Sequence, residues 1–294
     1  MDKTGYVSVI GRPNVGKSTL LNRILGEKIS IISDKPQTTR DKIQLIHSDE
    51  DSQIIFLDTP GMQNPRNKLG EHMLNASKSS VEDSDLIMYL VDTSDFIGKS
   101  EKEIIDFLTN VSTPVILVIN KIDTINKENV LELISMFKDY EMIKEIVPIS
   151  ASTGENVNYL LDVIKKYLPE GPRYYPDDQI TDKSEKFIVE EIIREKTLIN
   201  LKDEVPHGIN IVVESMKPSK DGNTINIIAT IYSEKDSHKG IIIGKNGTMI
   251  KRIRVDAMRE LETFLGSNVN LELWVKIEKN WREKESKVKY FGYQ

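Results

Sequence analysis

Cysteine is absent from the 294 residues. That excludes disulfides, thiolate metal sites and thiol nucleophiles together, and it points to a reducing compartment, the cytoplasm. Long apolar runs are also missing. The longest, such as Val115–Ile119, fall far short of the ~20 residues that span a bilayer. The first residues, MDKTGYVSVIG, alternate like a strand and lack the apolar stretch of a signal peptide. Internal repeats and low-complexity tracts are absent too. Only four histidines occur, His47, His72, His207 and His238, and none falls in a catalytic motif. An excess of positive charge is lacking as well: the net charge of −6 argues, taken alone, against a nucleic-acid partner.

The distribution of charge changes that reading. From Ile180 onward there are 20 Lys/Arg against 18 Asp/Glu, so the acidic excess lies in the first part of the chain. Between residues 239 and 259, six basic residues face a single acid, Asp256. Most such runs are solvated helix faces. This one is fused to a glycine-bearing loop.

Short apolar runs at 5–10, 85–91, 114–119 and 145–149 alternate with helical patterns at 18–25, 101–108, 128–140 and 156–168, and 42–47 with 53–57 reads as a hairpin. Strands alternating with helices predict a mostly parallel sheet covered on both faces, with ligand loops at the carboxyl ends of the strands. The pattern breaks at LPEGPRYYPDD, a proline-rich and extended stretch. Beyond it come a helix, a hairpin, helices and a strand, followed by a charged tail. The expected fold class is therefore an α/β domain followed by a smaller α+β domain. The boundaries are 1–170, a linker at 171–180, and 181–294.

Gly11-Arg12-Pro13-Asn14-Val15-Gly16-Lys17-Ser18 matches G-x-x-x-x-G-K-S after a strand and before a helix. The glycines allow backbone N–H groups to surround phosphates, Lys17 supplies a point charge, and Ser18 offers a hydroxyl to Mg²⁺, with Thr19 beside it. Asp58-Thr59-Pro60-Gly61 ends a strand, where Asp58 can reach the Mg²⁺ shell and the Gly61 N–H the γ-phosphate. Asn120-Lys121-Ile122-Asp123 also ends a strand. A carboxylate at Asp123 can accept from guanine N1–H and N2–H₂, donors that adenine lacks. The stem of Lys121 can cover the base. Ser150-Ala151-Ser152 follows the next strand, and the Ala151 N–H can meet guanine O6.

In this order the segments resemble the translation-factor-like GTPases. The resemblance implies a switch threonine that binds Mg²⁺ only beside a γ-phosphate. In Gln37-Thr38-Thr39-Arg40-Asp41 we favour Thr39, with Thr38 as the alternative. The catalytic candidates are then Lys17, Thr39 and Gly61. The glutamine that orients water in many relatives is replaced by Met62. Slow turnover is expected. Asn14, which in some relatives helps hold a potassium ion against the phosphates, becomes the candidate K⁺ ligand; its alternative is a loop residue bonding its own backbone.

The second loop, Gly244-Lys245-Asn246-Gly247, follows apolar Ile241–Ile243 and precedes Lys251, Arg252 and Arg254. A G-x-x-G turn admits a sugar-phosphate backbone, while an apolar groove beside it holds unstacked bases. The segment resembles a type II KH domain, with Ile243 to Gly247 and the three basic residues as the RNA surface. An ordinary connection between two helices is the alternative. Lys276, Lys279, Arg282, Lys284, Lys287 and Lys289 are further candidates for phosphate contact, and Trp274 and Trp281 for base stacking.

A GTPase without the glutamine, joined to a type II KH domain, resembles a family of bacterial ribosome-assembly GTPases over essentially the whole chain. The resemblance implies GTP and GDP as ligands, the 3′ end of small-subunit ribosomal RNA and the small subunit as partners, peripheral membrane association, and a monomer. Two other classes compete with it. A passive RNA-binding module would ignore nucleotide. A membrane-linked signalling GTPase would bind no RNA.

Overall fold

The computed structural model describes residues 2–32, 35, 39–203 and 205–293. These residues form two compact units. The first comprises Met1–Ser30, Thr39–Pro65 and Gly70–Asp182; the second comprises Lys183–Gln294 with the short pieces Ile31–Thr38 and Arg66–Leu69.

In the first unit, strands β1 (Asp2–Gly11), β2 (Ile43–Ser48), β3 (Ser52–Asp58), β4 (Leu86–Val91), β5 (Val115–Ile119) and β6 (Ile143–Pro148) form a sheet in the order β2-β3-β1-β4-β5-β6. Only β2 in this path is antiparallel, the other half of the expected hairpin with β3. β4 and β5 are buried along their whole length, which explains their unbroken apolar sequences LIMYLV and VILVI. Helices α1 (Lys17–Leu25), α2 (Lys68–Glu82), α3 (Lys99–Thr109), α4 (Lys127–Phe137) and α5 (Val157–Tyr167) connect the strands. The α2 helix escapes pattern reading because serines stand on its buried side. Ser80 pairs with Ser8 of β1 at 2.8 Å, and Ser77 donates to the Met73 carbonyl.

Register matters for the site. Val9 is opposite Asp58, Gly11 opposite Leu90, and Ile119 opposite both Val91 and Pro148. The carboxyl ends of β1, β3, β4, β5 and β6 are therefore level, and the loops that follow them share one edge of the sheet.

The proline-rich stretch is fastened to the first unit. A short strand β7 (Glu170–Gly171) pairs antiparallel with Asp2 and Lys3, beside the part of β1 that β4 does not reach. Arg173 binds Asp2 at 2.8 Å and Asp177 at 2.7 Å, and the Gln53 side chain bonds the backbone of Tyr174 and Tyr175. Thr181 bridges to Leu45. The first unit thus continues to Asp182.

In the second unit, β8 (Ile209–Pro218), β9 (Thr224–Ser233) and β10 (Asn268–Ile277) form a sheet in the order β10-β9-β8, with β9 antiparallel to β8 and parallel to β10. Helices α6 (Glu185–Asn200), α7 (Asp236–Ile243) and α8 (Thr248–Leu265) accompany it. Ile227, Ala229 and Ile231 alternate as buried positions of β9, and Ile253, Ala257 and Leu261 recur at helical spacing on α8. The charged tail is folded, ending in α9 (Glu285–Tyr290). No helix among the described residues is long and apolar enough to cross a membrane.

Candidate functional site

The loop from Gly11 to Gly16 leaves β1 and enters α1 at Lys17. A Cβ on Gly11 would stand 2.5 Å from the Leu90 carbonyl, so β4 forbids any side chain there. Gly16 has φ 99°, and a Cβ on it would meet the Asn120 amide. Asn14 also takes positive φ, 65°, a conformation that asparagine tolerates. The Lys17 ammonium is buried and donates to the carbonyls of Gly11 and Arg12, each at 3.0 Å. Burial pushes its pKa down to about 8, against the attraction of Asp58 and Glu101. Ser18 and Thr19 follow in the first turn of α1, partly buried.

Arg12, grouped by motif with the nucleotide ligands, turns its side chain away from the loop. Its Nε donates to Glu101 Oε1 at 2.7 Å and its Nη2 to Asp92 Oδ1 at 3.1 Å. Tyr89 donates to the other Glu101 oxygen at 3.1 Å. Burial acts to lower the guanidinium pKa, but Glu101 and Asp92 raise it overall. Only the Arg12 backbone is left for a phosphate. The Thr59 hydroxyl is likewise turned into the sheet, donating to the Val9 carbonyl at 2.8 Å.

Asp58 is fully buried at the end of β3, and its Oδ2 accepts from Ser30 Oγ at 3.0 Å. Ser30 is held by Asn22 of α1. The Asn22 amide donates to the Ser30 carbonyl at 2.6 Å, and its oxygen accepts from the N–H groups of Ile29 and Ser30. Motif reading missed both residues, because neither belongs to a named segment. Gly61 has φ 87°, and its Cβ position is 3.1 Å from the Gly11 carbonyl and 3.5 Å from Lys17 Nζ. The DTPG backbone therefore lies against the phosphate loop and its lysine. Pro60 is buried beside it.

Thr39 is buried, whereas Gln37 and Thr38 lie outside the described residues, so the choice between the two threonines stays open. Among the described residues no group of three or more His, Cys, Asp or Glu is arranged to hold a metal ion by itself. One buried carboxylate beside a serine hydroxyl is the hard-oxygen set that suits Mg²⁺ shared with phosphates. Met62 packs against the apolar cluster of Ile10, Tyr89 and Ile104, which accounts for an apolar residue where many GTPases carry glutamine.

The loops expected to read the base are strapped to the 11–16 loop. Asn120 is buried; its amide donates to the Val15 carbonyl at 2.8 Å, and its oxygen accepts from the Ala151 N–H at 2.9 Å. The N–H expected at guanine O6 thus already has an acceptor. Lys121, at φ 71°, donates to the Asn14 carbonyl at 2.7 Å. Asp123 is exposed and accepts from Ser152 Oγ at 3.2 Å. The hydroxyls of Ser150 and Ser152, which pair at 3.0 Å, hold its carboxyl below the usual carboxylate range. Arg23 of α1 also reaches this loop, another residue that motif reading missed.

In the second unit, Gly244 (φ 73°) ends α7, and Asn246 and Gly247 also take positive φ. A Cβ on Gly244 would come within 2.7 Å of Met249. The glycine is required where α8 crosses the turn. Ile242 is buried, Ile243 is partly buried, and Lys245, Asn246, Lys251, Arg252 and Arg254 are exposed. Among the described residues, none of these four basic side chains forms an ion pair.

The basic tail differs. Lys276, Lys279, Arg282, Lys287 and Lys289 pair with Glu214, Asp236, Glu234, Glu278 and Glu285, and Lys284 donates to the Lys279 carbonyl. That internal neutralisation makes the tail a weaker candidate for phosphate or acidic lipid than its sequence suggests. Trp281, a stacking candidate by sequence, is fully buried, donating to the Gly208 carbonyl at 3.0 Å and packed edge-on against Phe291. Trp274, in contrast, is exposed on β10.

Comparison with known proteins agrees with this division. Residues 6–121 match the family described as 50S ribosome-binding GTPase, and residues 204–282 match the KH domain. GTPase Era of Clostridioides difficile (strain 630) is 51% identical over 294 residues, covering 100% of this chain and 99% of the relative. GTPase Era of Clostridium beijerinckii is 52% identical over 100% of this chain and 98% of its own. Among solved structures, Era in complex with MgGDPNP and nucleotides 1506–1542 of 16S ribosomal RNA superposes with a TM-score of 0.96 at 43% identity, covering 100% of this chain and 99% of that one. Aquifex aeolicus Era bound to GDP and aluminium fluoride gives 0.94 at 42% identity, over 99% of each chain.

Proposed function

The chain belongs to the Era family of GTPases, and from that premise we propose that it is a GTP-controlled clamp on the 3′ region of small-subunit ribosomal RNA that assists assembly of the small subunit. The N-terminal region, 1–170, takes the nucleotide and 181–294 takes the RNA. Lys17 lies against the β- and γ-phosphates, with the backbone N–H groups of 14–16 around them. Ser18, Asp58 and a switch threonine hold Mg²⁺, which supplies charge neutralisation at the phosphates. Asp123 selects guanine by accepting from its N1–H and N2–H₂, donors that adenine cannot offer.

Hydrolysis is slow, because Met62 is held in an apolar cluster and offers no group to orient water. In this reading Asn14, an exposed residue of the loop, helps to hold a K⁺ ion against the phosphates. The protein acts as a cytoplasmic monomer.

The observation that carries the RNA half is the contrast in charge. The basic residues of the tail are paired, while Lys245, Lys251, Arg252 and Arg254 around the glycine turn are exposed and form no ion pair among the described residues. Such cations are available to a backbone phosphate. The RNA-bound Era relative supports the choice of partner.

The test is binding of a short single-stranded RNA from the small-subunit 3′ end, with GDP and then with a non-hydrolysable GTP analogue. Tighter binding in one nucleotide state, lost on changing Lys245 and Asn246 to aspartate, is expected. Coupling is reciprocal, so the RNA should shift nucleotide affinity by the same factor. Binding indifferent to nucleotide would leave a passive module. No binding to any RNA would end the KH reading.

A further inference from the structure

Arg23 lies in the C-terminal part of α1, the helix whose first residue is Lys17. Its Nε donates to the Ala151 carbonyl at 2.5 Å and its Nη2 to the Ser152 carbonyl. A Cβ on Gly154 would be 3.1 Å from Arg23 Nη1, so the guanidinium lies along the 151–154 turn, and Gly154, at φ 92°, leaves room for it. A planar fork of donors suits two adjacent carbonyls better than a single ammonium does.

The consequence follows from peptide geometry. In a trans peptide the C=O and N–H point in opposite directions. Pinning the Ala151 carbonyl to α1 therefore turns the Ser152 N–H to the other side of the loop. The preceding peptide is held as well, since the Ala151 N–H meets Asn120 Oδ1 at 2.9 Å. Both peptide planes able to offer an N–H to the six-position oxygen of a purine are thus fixed by side chains, one from the 120–123 loop and one from α1.

We infer that Arg23 is a positioning residue for base discrimination, aiming the backbone N–H of Ser152 at guanine O6 without touching the nucleotide, while Asn120 holds the neighbouring Ala151 N–H. The inference rests on the assignment of the 120–123 and 150–152 loops to guanine. It also gives α1 a double role, since the same helix meets the phosphates at its first turn and the base loop near its end.

The experiment compares GDP with 6-thio-GDP, in which sulfur, a poor acceptor, replaces O6. Binding is measured for the wild type, Arg23→Ala and Arg23→Lys. Arg23→Ala should weaken GDP about tenfold, as expected for loss of a charge-assisted hydrogen-bond pair. It should weaken 6-thio-GDP by less than about twofold, because the aimed Ser152 N–H has little to meet there. Arg23→Lys, retaining one donor, should recover part of the loss for GDP. Equal losses for both ligands would mean that Arg23 only stiffens the protein, and would overturn the inference. Unchanged GDP binding would overturn it too. Wild-type protein that fails to prefer GDP over ADP would instead overturn the guanine assignment on which it rests.

Discussion

Lys17 is a buried cation whose partners are two neutral carbonyls, which makes the nucleotide-free protein sensitive to pH in a defined direction. Its pKa lies at about 8 in the folded chain against an ordinary 10.5. Below pH 8 both folded and unfolded forms carry the proton, and the desolvation cost is present in full. Between pH 8 and 10.5 the unfolded chain binds more protons, so this residue's destabilising effect is relieved as pH rises. At ~1.4 kcal/mol per pH unit, the whole effect is about 3 kcal/mol, and about 2 kcal/mol of it appears by pH 9.5.

Lys17→Met removes the titrating group and keeps most of the volume. In urea unfolding without nucleotide, the wild type should gain about 2 kcal/mol relative to Lys17→Met between pH 7 and 9.5. With saturating GDP the phosphates restore the missing counter-charge, so the wild-type curve should lose this slope. GDP affinity itself should fall above pH 8, by up to about tenfold per pH unit. A stability difference that stays flat, or that moves against the wild type with rising pH, would refute the reasoning. So would GDP affinity that is indifferent to pH between 7 and 9.5.

Three further outcomes follow from particular contacts. Gly11→Ala places a methyl group 2.5 Å from the Leu90 carbonyl of the adjacent strand; it should lower stability by about 2–4 kcal/mol in urea titration and abolish GDP binding, because neither backbone can retreat. Trp281→Ala should cost about 3–5 kcal/mol in the second unit, seen as lost RNA binding and an earlier thermal transition while GDP binding persists. GTP turnover should be several-fold faster in potassium than in sodium, a difference that Asn14→Ala removes; equal rates in the two salts for the wild type would exclude a K⁺ role.

The segments assigned to nucleotide were legible because each is local. A strand of unbroken apolar residues, a polar loop and a helix start can be read within about ten residues, and GRPNVGKS, DTPG, NKID and SAST all sit at such junctions. The glycine turn at Gly244–Gly247 was legible for the same reason. The mostly parallel sheet followed from alternation of the two element types.

What depended on distant residues could not be read this way. The orientation of Arg12 is decided by Glu101 and Asp92, far along the chain and next to it only through β4 and α3. Ser30 reaches Asp58 because β1 and β3 are paired in one register and α1 crosses behind them with Asn22. Arg23 finds the base loop across more than a hundred residues. The proline-rich stretch looks like a free connector by composition, yet Arg173 and Gln53 tie it to the sheet edge.

The tail shows the same division. Its lysines read as an open basic face, but their carboxylate partners come mostly from β8, the β9–α7 connection and the end of β10. The residue types and spacings by themselves determined two glycine loops and the ligand chemistry expected of each. Tertiary structure alone decided which charges are already neutralised and which side chains aim the loops, because screening and hydrogen bonding act over a few ångströms in space, whatever the separation along the chain.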